Sequence, residues 1–300
     1  MTIRGWGVKY LPITYSISFK EAPVWRNRPA FVFRSVLGLA LKRLTCALKL
    51  QDKCADCMVK SSCVYSVFFE TNIDKDVQAL LGRDRAVHPF VVDIVSLNEK
   101  ESVLTITFIG RAINYIPYIN IALENAGELG IGRNRAKFTV ESISANGEKF
   151  VPNVRAIEKQ CLNWPSKENL SRQPLAINLI SPCRIKEQGK YISEIDLNSL
   201  LANMSRRISA LVELFGDEQD KRDELCFSPC GSQPVEQKWI EKTYYSSRQK
   251  TRMQFGGVVG KVIINEDVPA EDRALIEAME LFHVGKNISF GLGKVEVEYK

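Results

Sequence analysis

Several absences narrow this chain. No apolar run approaches the roughly 20 residues needed to cross a bilayer, and Met1 to Tyr15 lacks the apolar core of a signal peptide. A cytoplasmic protein with no membrane partner is expected. Histidine is nearly missing, with only His88 and His283 in 300 residues. Proton chemistry near neutral pH, for which an imidazole is well suited, therefore has at most two carriers of that kind. Nucleotide-binding loops are missing as well. Gly285-Lys286 is followed by neither Ser/Thr nor a helix, as a Walker loop would require, and the glycine-rich C-terminal stretch leads into a strand where a dinucleotide fingerprint leads into a helix. What remains is an ordinary globular composition, 45% hydrophobic and 25% charged, able to bury a sizeable core. The net charge of +6 favours polyanions only mildly, so the local distribution of charge must decide.

Periodicity predicts the elements. Tyr10 to Phe19 alternates as a half-buried strand, and Pro29 opens a helix with Val36, Leu37, Ala40, Leu41 and Leu44 on one stripe and Arg34, Lys42 and Arg43 on the other face. Phe90–Val95 and Val103–Ile109 read as strands, Pro117 starts a helix that stops at Gly127, and Ala136–Ile143 is another strand. Ser144 to Gln173 reads as a linker with some structure of its own. The order then repeats: a strand at Leu175–Ile180, a helix from Asp196 to Gly216, strands at Trp239–Ser246 and Met253–Ile264, a helix from Pro269 and a last strand through Val295, Val297 and Tyr299. Two β-α-β-β-α-β series imply an α+β fold of two tandem ferredoxin-like (RRM-like) domains, at 1–148 and 174–300, with 149–173 between them. The strands carry no RNP-type aromatic submotif, so face-on base stacking is not indicated.

Three local patterns carry chemistry. Cys46, Cys54, Cys57 and Cys63 have C-x7-C-x2-C-x5-C spacing, suited to a structural zinc ion; an iron–sulfur cluster needs the same ligands, and four reduced thiols are the plain alternative. Between Gln237 and Arg252, Lys238, Lys242, Arg248, Lys250 and Arg252 oppose one acid, Glu241, and are interleaved with Trp239, Tyr244 and Tyr245. Lys238, Lys242, Tyr244, Arg248, Lys250 and Arg252 share one parity, so a single face could meet phosphates and unpaired bases; an edge hairpin guarded by lysines reads the same way. The third pattern is the link from His283 to Lys294, where glycines allow close backbone approach and N–H groups that point at an anion. A helix cap at Gly285 with a bulge at Gly291 and Gly293 is its structural alternative.

The ordered set Phe33-Arg34-Ser35-Val36-Leu37-Gly38, Tyr244-Tyr245-Ser246-Ser247-Arg248-Gln249, Gly256-Gly257-Val258-Val259-Gly260, His283-Val284-Gly285-Lys286 and Phe290-Gly291-Leu292-Gly293 resembles the RAMP superfamily of CRISPR proteins. Within it, the set resembles the Cas endoribonucleases that process precursor CRISPR RNA, over most of the chain. The resemblance implies tandem ferredoxin-like domains, CRISPR repeat RNA as partner, and other Cas effector subunits as further partners. It also implies metal-independent scission in which a ribose 2′-hydroxyl attacks the adjacent phosphate, with no cofactor for catalysis. Gly285, Lys286, Ser289, Gly291 and Gly293 would then touch RNA. Similar cysteines occur in many relatives but not all. Relatives often carry a histidine on or beside the first helix, and here Lys20 to Cys63 has none. Either His283 supplies the imidazole, or Lys42, Arg34 and a tyrosine hold the phosphate, or the protein is a RAMP subunit that binds guide RNA without cutting it. A redox protein built on the cysteine cluster is a weaker reading, since it leaves the basic strands and the glycine link unexplained.

Overall fold

The computed structural model describes residues 7–25, 27–48, 54–71, 73, 75, 78, 86–166, 171–217, 225–241, 243–246 and 251–300. These fall into two compact units, one of Val8–Asn163 with Ala210–Lys221, the other of Met1–Gly7, Trp164–Ser209 and Arg222–Lys300.

In the first unit, the alternation of the leading strand makes β1 (Val8–Phe19), which buries Ile13, Tyr15, Ile17 and Phe19 on one side. Pro29, with no N–H to leave unsatisfied, opens α1 (Pro29–Thr45). A short α2 (Val64–Phe69) follows, then β2 (Phe90–Ser96), β3 (Glu101–Ile109), α3 (Ile116–Leu129) and β4 (Phe138–Ala145). The strands pair antiparallel in the order β2-β3-β1-β4, with the short β5 (Glu148–Lys149) at the edge beside β4. Leu37, Ala40 and Leu41 of α1 and Ile119, Ala122 and Leu123 of α3 sit in one core with the inward face of this sheet, whereas Leu44, expected on the same stripe, is exposed. Inside that core the Tyr15 hydroxyl donates a 2.6 Å hydrogen bond to Asn120 Oδ1, which satisfies the one polar atom Tyr15 buries. In sequence, β5 is followed by α4 (Val154–Gln160), capped by Asn153, and by β6 (Leu162–Trp164), which pairs with β1.

The second unit repeats the plan. β7 (Pro174–Cys183) is followed by a small hairpin of β8 (Lys186–Glu187) and β9 (Lys190–Tyr191), then α5 (Leu197–Phe215). Next come β10 (Ser232–Ile240), β11 (Thr243–Ser246), β12 (Thr251–Gln254), β13 (Gly257–Ile264), α6 (Ala270–Phe282) and β14 (Val295–Tyr299). The main sheet runs β10-β13-β7-β14, again antiparallel throughout. Counting only main-sheet strands, both units place second, third, first and fourth side by side. That order, with two helices per sheet, makes each a ferredoxin-like domain.

One expectation needs correcting. The strands expected at Trp239–Ser246 and Met253–Ile264 are not one continuous pair. The chain leaves the ladder at Glu241 and again at Phe255–Gly256, so β10 pairs β13 in the main sheet while β11 and β12 form a separate ribbon. Among the described residues, no helix is long and apolar enough to cross a membrane.

Candidate functional site

On α1, Arg34, Gly38 and Lys42 are spaced four apart and so share one face. α2 lies along that face. The Arg34 guanidinium is 5.0 Å from the Phe69 ring centroid, and Lys42 Nζ is 5.6 Å from that of Tyr65. Tyr65 and Phe69 stack on each other at 5.3 Å and 17°. Gly38 makes this approach possible, since a Cβ there would lie 3.1 Å from the Phe69 ring. Two cations are thus held in place by an aromatic pair at half-buried positions. The sequence named Arg34 and Lys42; α2 and its rings, which position them, were not expected.

The four clustered cysteines line one small pocket together with Lys42 and Lys60. Cys54 begins a single 3₁₀ turn and Cys63 precedes α2, which brings residues up to seventeen apart in sequence to the same wall. All four are free thiols. They share a pocket, yet among the described residues no three His, Cys, Asp or Glu side chains are grouped closely enough to hold one ion.

In the second unit the glycine-rich link closes on itself. His283 ends α6 at φ 57°, is buried, and donates from Nδ1 to the Leu292 carbonyl at 3.2 Å. Val284 N–H donates to Gly293 O, Gly285 N–H to Asn203 Oδ1 on α5, and Lys286 N–H to Arg184 O. Gly291 N–H donates to Ile288 O and Gly293 N–H to Pro182 O. The expected anion cradle is therefore corrected. The N–H groups of Gly285, Gly291 and Gly293 point at acceptors within the chain; Gly285 and Gly293 serve close backbone packing, and Gly291 takes the left-handed conformation that ends the 3₁₀ turn Ile288–Phe290. Ser289 is buried, which takes its hydroxyl away from a ligand, whereas Lys286 is exposed. Beneath the link, Cys183 is buried, its thiol donates to Val284 O, and burial pushes its pKa up to about 12, so it is no nucleophile at neutral pH.

The single basic face expected across Lys238 to Arg252 is also corrected. A bulge between Val235 and Lys238, with Glu236 at φ 51°, and the break after β10 interrupt the parity. Lys238 is exposed, but Tyr244 is buried and packs edge-on against Phe255 at 5.1 Å. Lys242, Arg248 and Lys250 lie outside the described residues, and of Tyr245 and Arg252 only the backbone pairing is described. His88 sits in the first unit with Nδ1 2.9 Å from Phe68 O, a packing position.

Residues 177–295 match the family model of the CRISPR-associated endoribonuclease Cas6, and residues 8–162 match a model described as an N-terminal domain (AF_1859_N). The C-terminal part of the chain, residues 177–295, is a Cas6 domain. Among solved structures, a Cas6 from Thermus thermophilus is similar over 97% of this chain and 99% of that one, with TM-score 0.52 and 9% identity. A Cas6 product complex matches over 96% and 99%, with TM-score 0.50 and 11% identity. At such identities the likeness is one of fold. No curated relative matches the sequence.

Proposed function

We propose that this protein cuts precursor CRISPR RNA within its repeats by attack of a ribose 2′-hydroxyl on the adjacent phosphate, leaving a 2′,3′-cyclic phosphate and a 5′-hydroxyl. The observation that carries this reading is the Cas6 family match over residues 177–295. Repeat RNA is the proposed partner, with other Cas effector subunits as further ones. The chemistry needs proton transfer at two oxygens and positive charge on the crowded phosphorane. Lys42 and Arg34, fixed by Tyr65 and Phe69, are suited to the charge; in this reading they position the phosphate and stabilise its transition state. His283 is buried with its Nδ1 proton committed to Leu292, which supports a role in holding the link rather than in moving protons.

His283→Ala separates these roles. Its expected effect is a lower melting temperature with the single-turnover cleavage rate of the folded protein within threefold or so of wild type, since a removed general acid or base would cost roughly 10²–10⁴-fold. A loss in that range, with fold and RNA affinity intact, would return the imidazole to the chemistry. The absence of a histidine between Lys20 and Cys63, together with the burial of His283, favours one second reading, a subunit that holds guide RNA without cutting it. Incubation of labelled repeat RNA with purified protein decides between them, because that subunit would bind and leave the RNA whole.

A structural zinc ion at Cys46, Cys54, Cys57 and Cys63 belongs to the same proposal. Four thiolates suit zinc, and a shared pocket brings them near, but they would have to draw together around the ion. Anaerobically purified protein is expected to carry about one equivalent of zinc, lost in Cys54→Ser/Cys57→Ser. Under about a tenth of an equivalent of zinc or iron, with four freely titrating thiols, would show ordinary reduced cysteines.

A further inference from the structure

The small hairpin after β7 carries a cation–aromatic cluster that no sequence motif marks. Its turn is Gln188–Gly189, at φ 46° and 80°, and it sets Lys186 directly across from Tyr191. Lys186 Nζ lies 4.7 Å from the Tyr191 ring centroid, and the Arg184 guanidinium lies 4.0 Å from the same centroid. Trp239 on β10 stands 6.3 Å away at 52°, and Tyr191 keeps 39% of its surface exposed.

Two cations held on one ring would ordinarily attract a carboxylate. Among the described residues, neither Arg184 nor Lys186 has an ion-pair partner. Of the acids on adjoining segments, Glu187 accepts from the Ser199 hydroxyl and Glu241 from the Trp239 indole N–H. The cluster is also anchored. Arg184 Nη1 donates to the Gln254 carbonyl, and its own carbonyl accepts the Lys286 N–H at 2.9 Å. Gly285 packs so closely there that a Cβ would come within 2.8 Å of Arg184 O. The glycine link thus fixes the base of the hairpin, while the exposed Lys286 projects from the same segment.

We propose that Arg184, Lys186 and Tyr191 form a contact site for the phosphodiester backbone of single-stranded RNA, with Tyr191 holding both cations in place. Positive charge without a counter-carboxylate suits phosphates, and ordering the two long side chains beforehand lowers the entropy lost on binding. The proposal rests on the reading of this protein as a CRISPR RNA nuclease.

Binding of repeat RNA and of oligouridine, followed by fluorescence anisotropy over a range of salt, tests it. Arg184→Gln/Lys186→Gln is expected to flatten the log–log salt slope by about 1.4, the value for two lost single-strand phosphate contacts, and to weaken binding roughly tenfold. Tyr191→Leu, which removes no charge, should weaken binding as well, whereas Tyr191→Phe should not. If Arg184→Gln does not fold, Lys186→Gln alone should flatten the slope by about 0.7. Wild-type slope and affinity in these variants would overturn the site and leave the nuclease reading standing. No RNA binding by the wild-type protein would overturn both. Equal losses for RNA and polyglutamate would overturn the RNA assignment in favour of an acidic protein partner.

Discussion

A repeat RNA with hydrogen in place of the 2′-hydroxyl immediately upstream of the scissile phosphate should not be cut at all, while all-ribose RNA should be cut equally well with and without excess EDTA. The proposed nucleophile is that oxygen, so its removal deletes the reaction and leaves the phosphate contacts in place. Affinity for the deoxy-substituted RNA should therefore stay close to that of the natural one, which makes it a binding control in the same experiment. Lys42→Ala and Arg34→Ala should then lower both single-turnover rate and affinity, because a cation that holds the phosphate before reaction also faces the charge that develops during it. Cleavage of the deoxy-substituted RNA, or its loss in EDTA with the fold intact, would sink the proposed mechanism. Wild-type behaviour of both α1 variants would move the phosphate site away from the Tyr65–Phe69 face.

Gly293→Ala should be among the most destabilising single substitutions in the chain. Gly293 sits at φ +70°, and a Cβ there would overlap the Val284 carbonyl oxygen and lie 2.8 Å from its carbon. The obstacle is backbone, and the same two residues are tied by the Val284 N–H to Gly293 O bond at 2.8 Å, so neither segment of the link can step aside without breaking it. Backbone strain of about 1–3 kcal/mol and displacement of about 1–3 kcal/mol add up to a large share of a typical domain's stability of roughly 5–15 kcal/mol. Gly147→Ala is the internal control. Its φ is +82°, yet nothing lies within 4 Å of the added Cβ, so only the strain should appear, about 1 kcal/mol. Urea midpoints of the two variants check this. Equal shifts would show that the close approach of Val284 and Gly293 contributes nothing beyond the conformation of the residue.

The sequence by itself determined the two ferredoxin-like domains. Alternation in Tyr10–Phe19 and helical spacing in Leu201, Met204 and Ile208 report geometry bonded into the chain, and the structure buries those residues accordingly. It also marked the clustered cysteines, the glycine link and the cations of α1. Tertiary structure alone decided what these residues meet. Parity from Lys238 onward assumed an unbroken strand, and one bulge and one break turned Tyr244 inward against Phe255. Glycines at 285 and 293 signal close approach without naming what approaches. Here it is the chain's own carbonyls, at Arg184 and Val284, because each backbone N–H folded into the interior must find an acceptor there. The Gln188–Gly189 pair was a turn signal that could have been read, but the meeting of Arg184, Lys186, Tyr191 and Trp239 joins residues up to 55 apart. Only packing brings such residues together, since no local periodicity links one side of a sheet edge to the other.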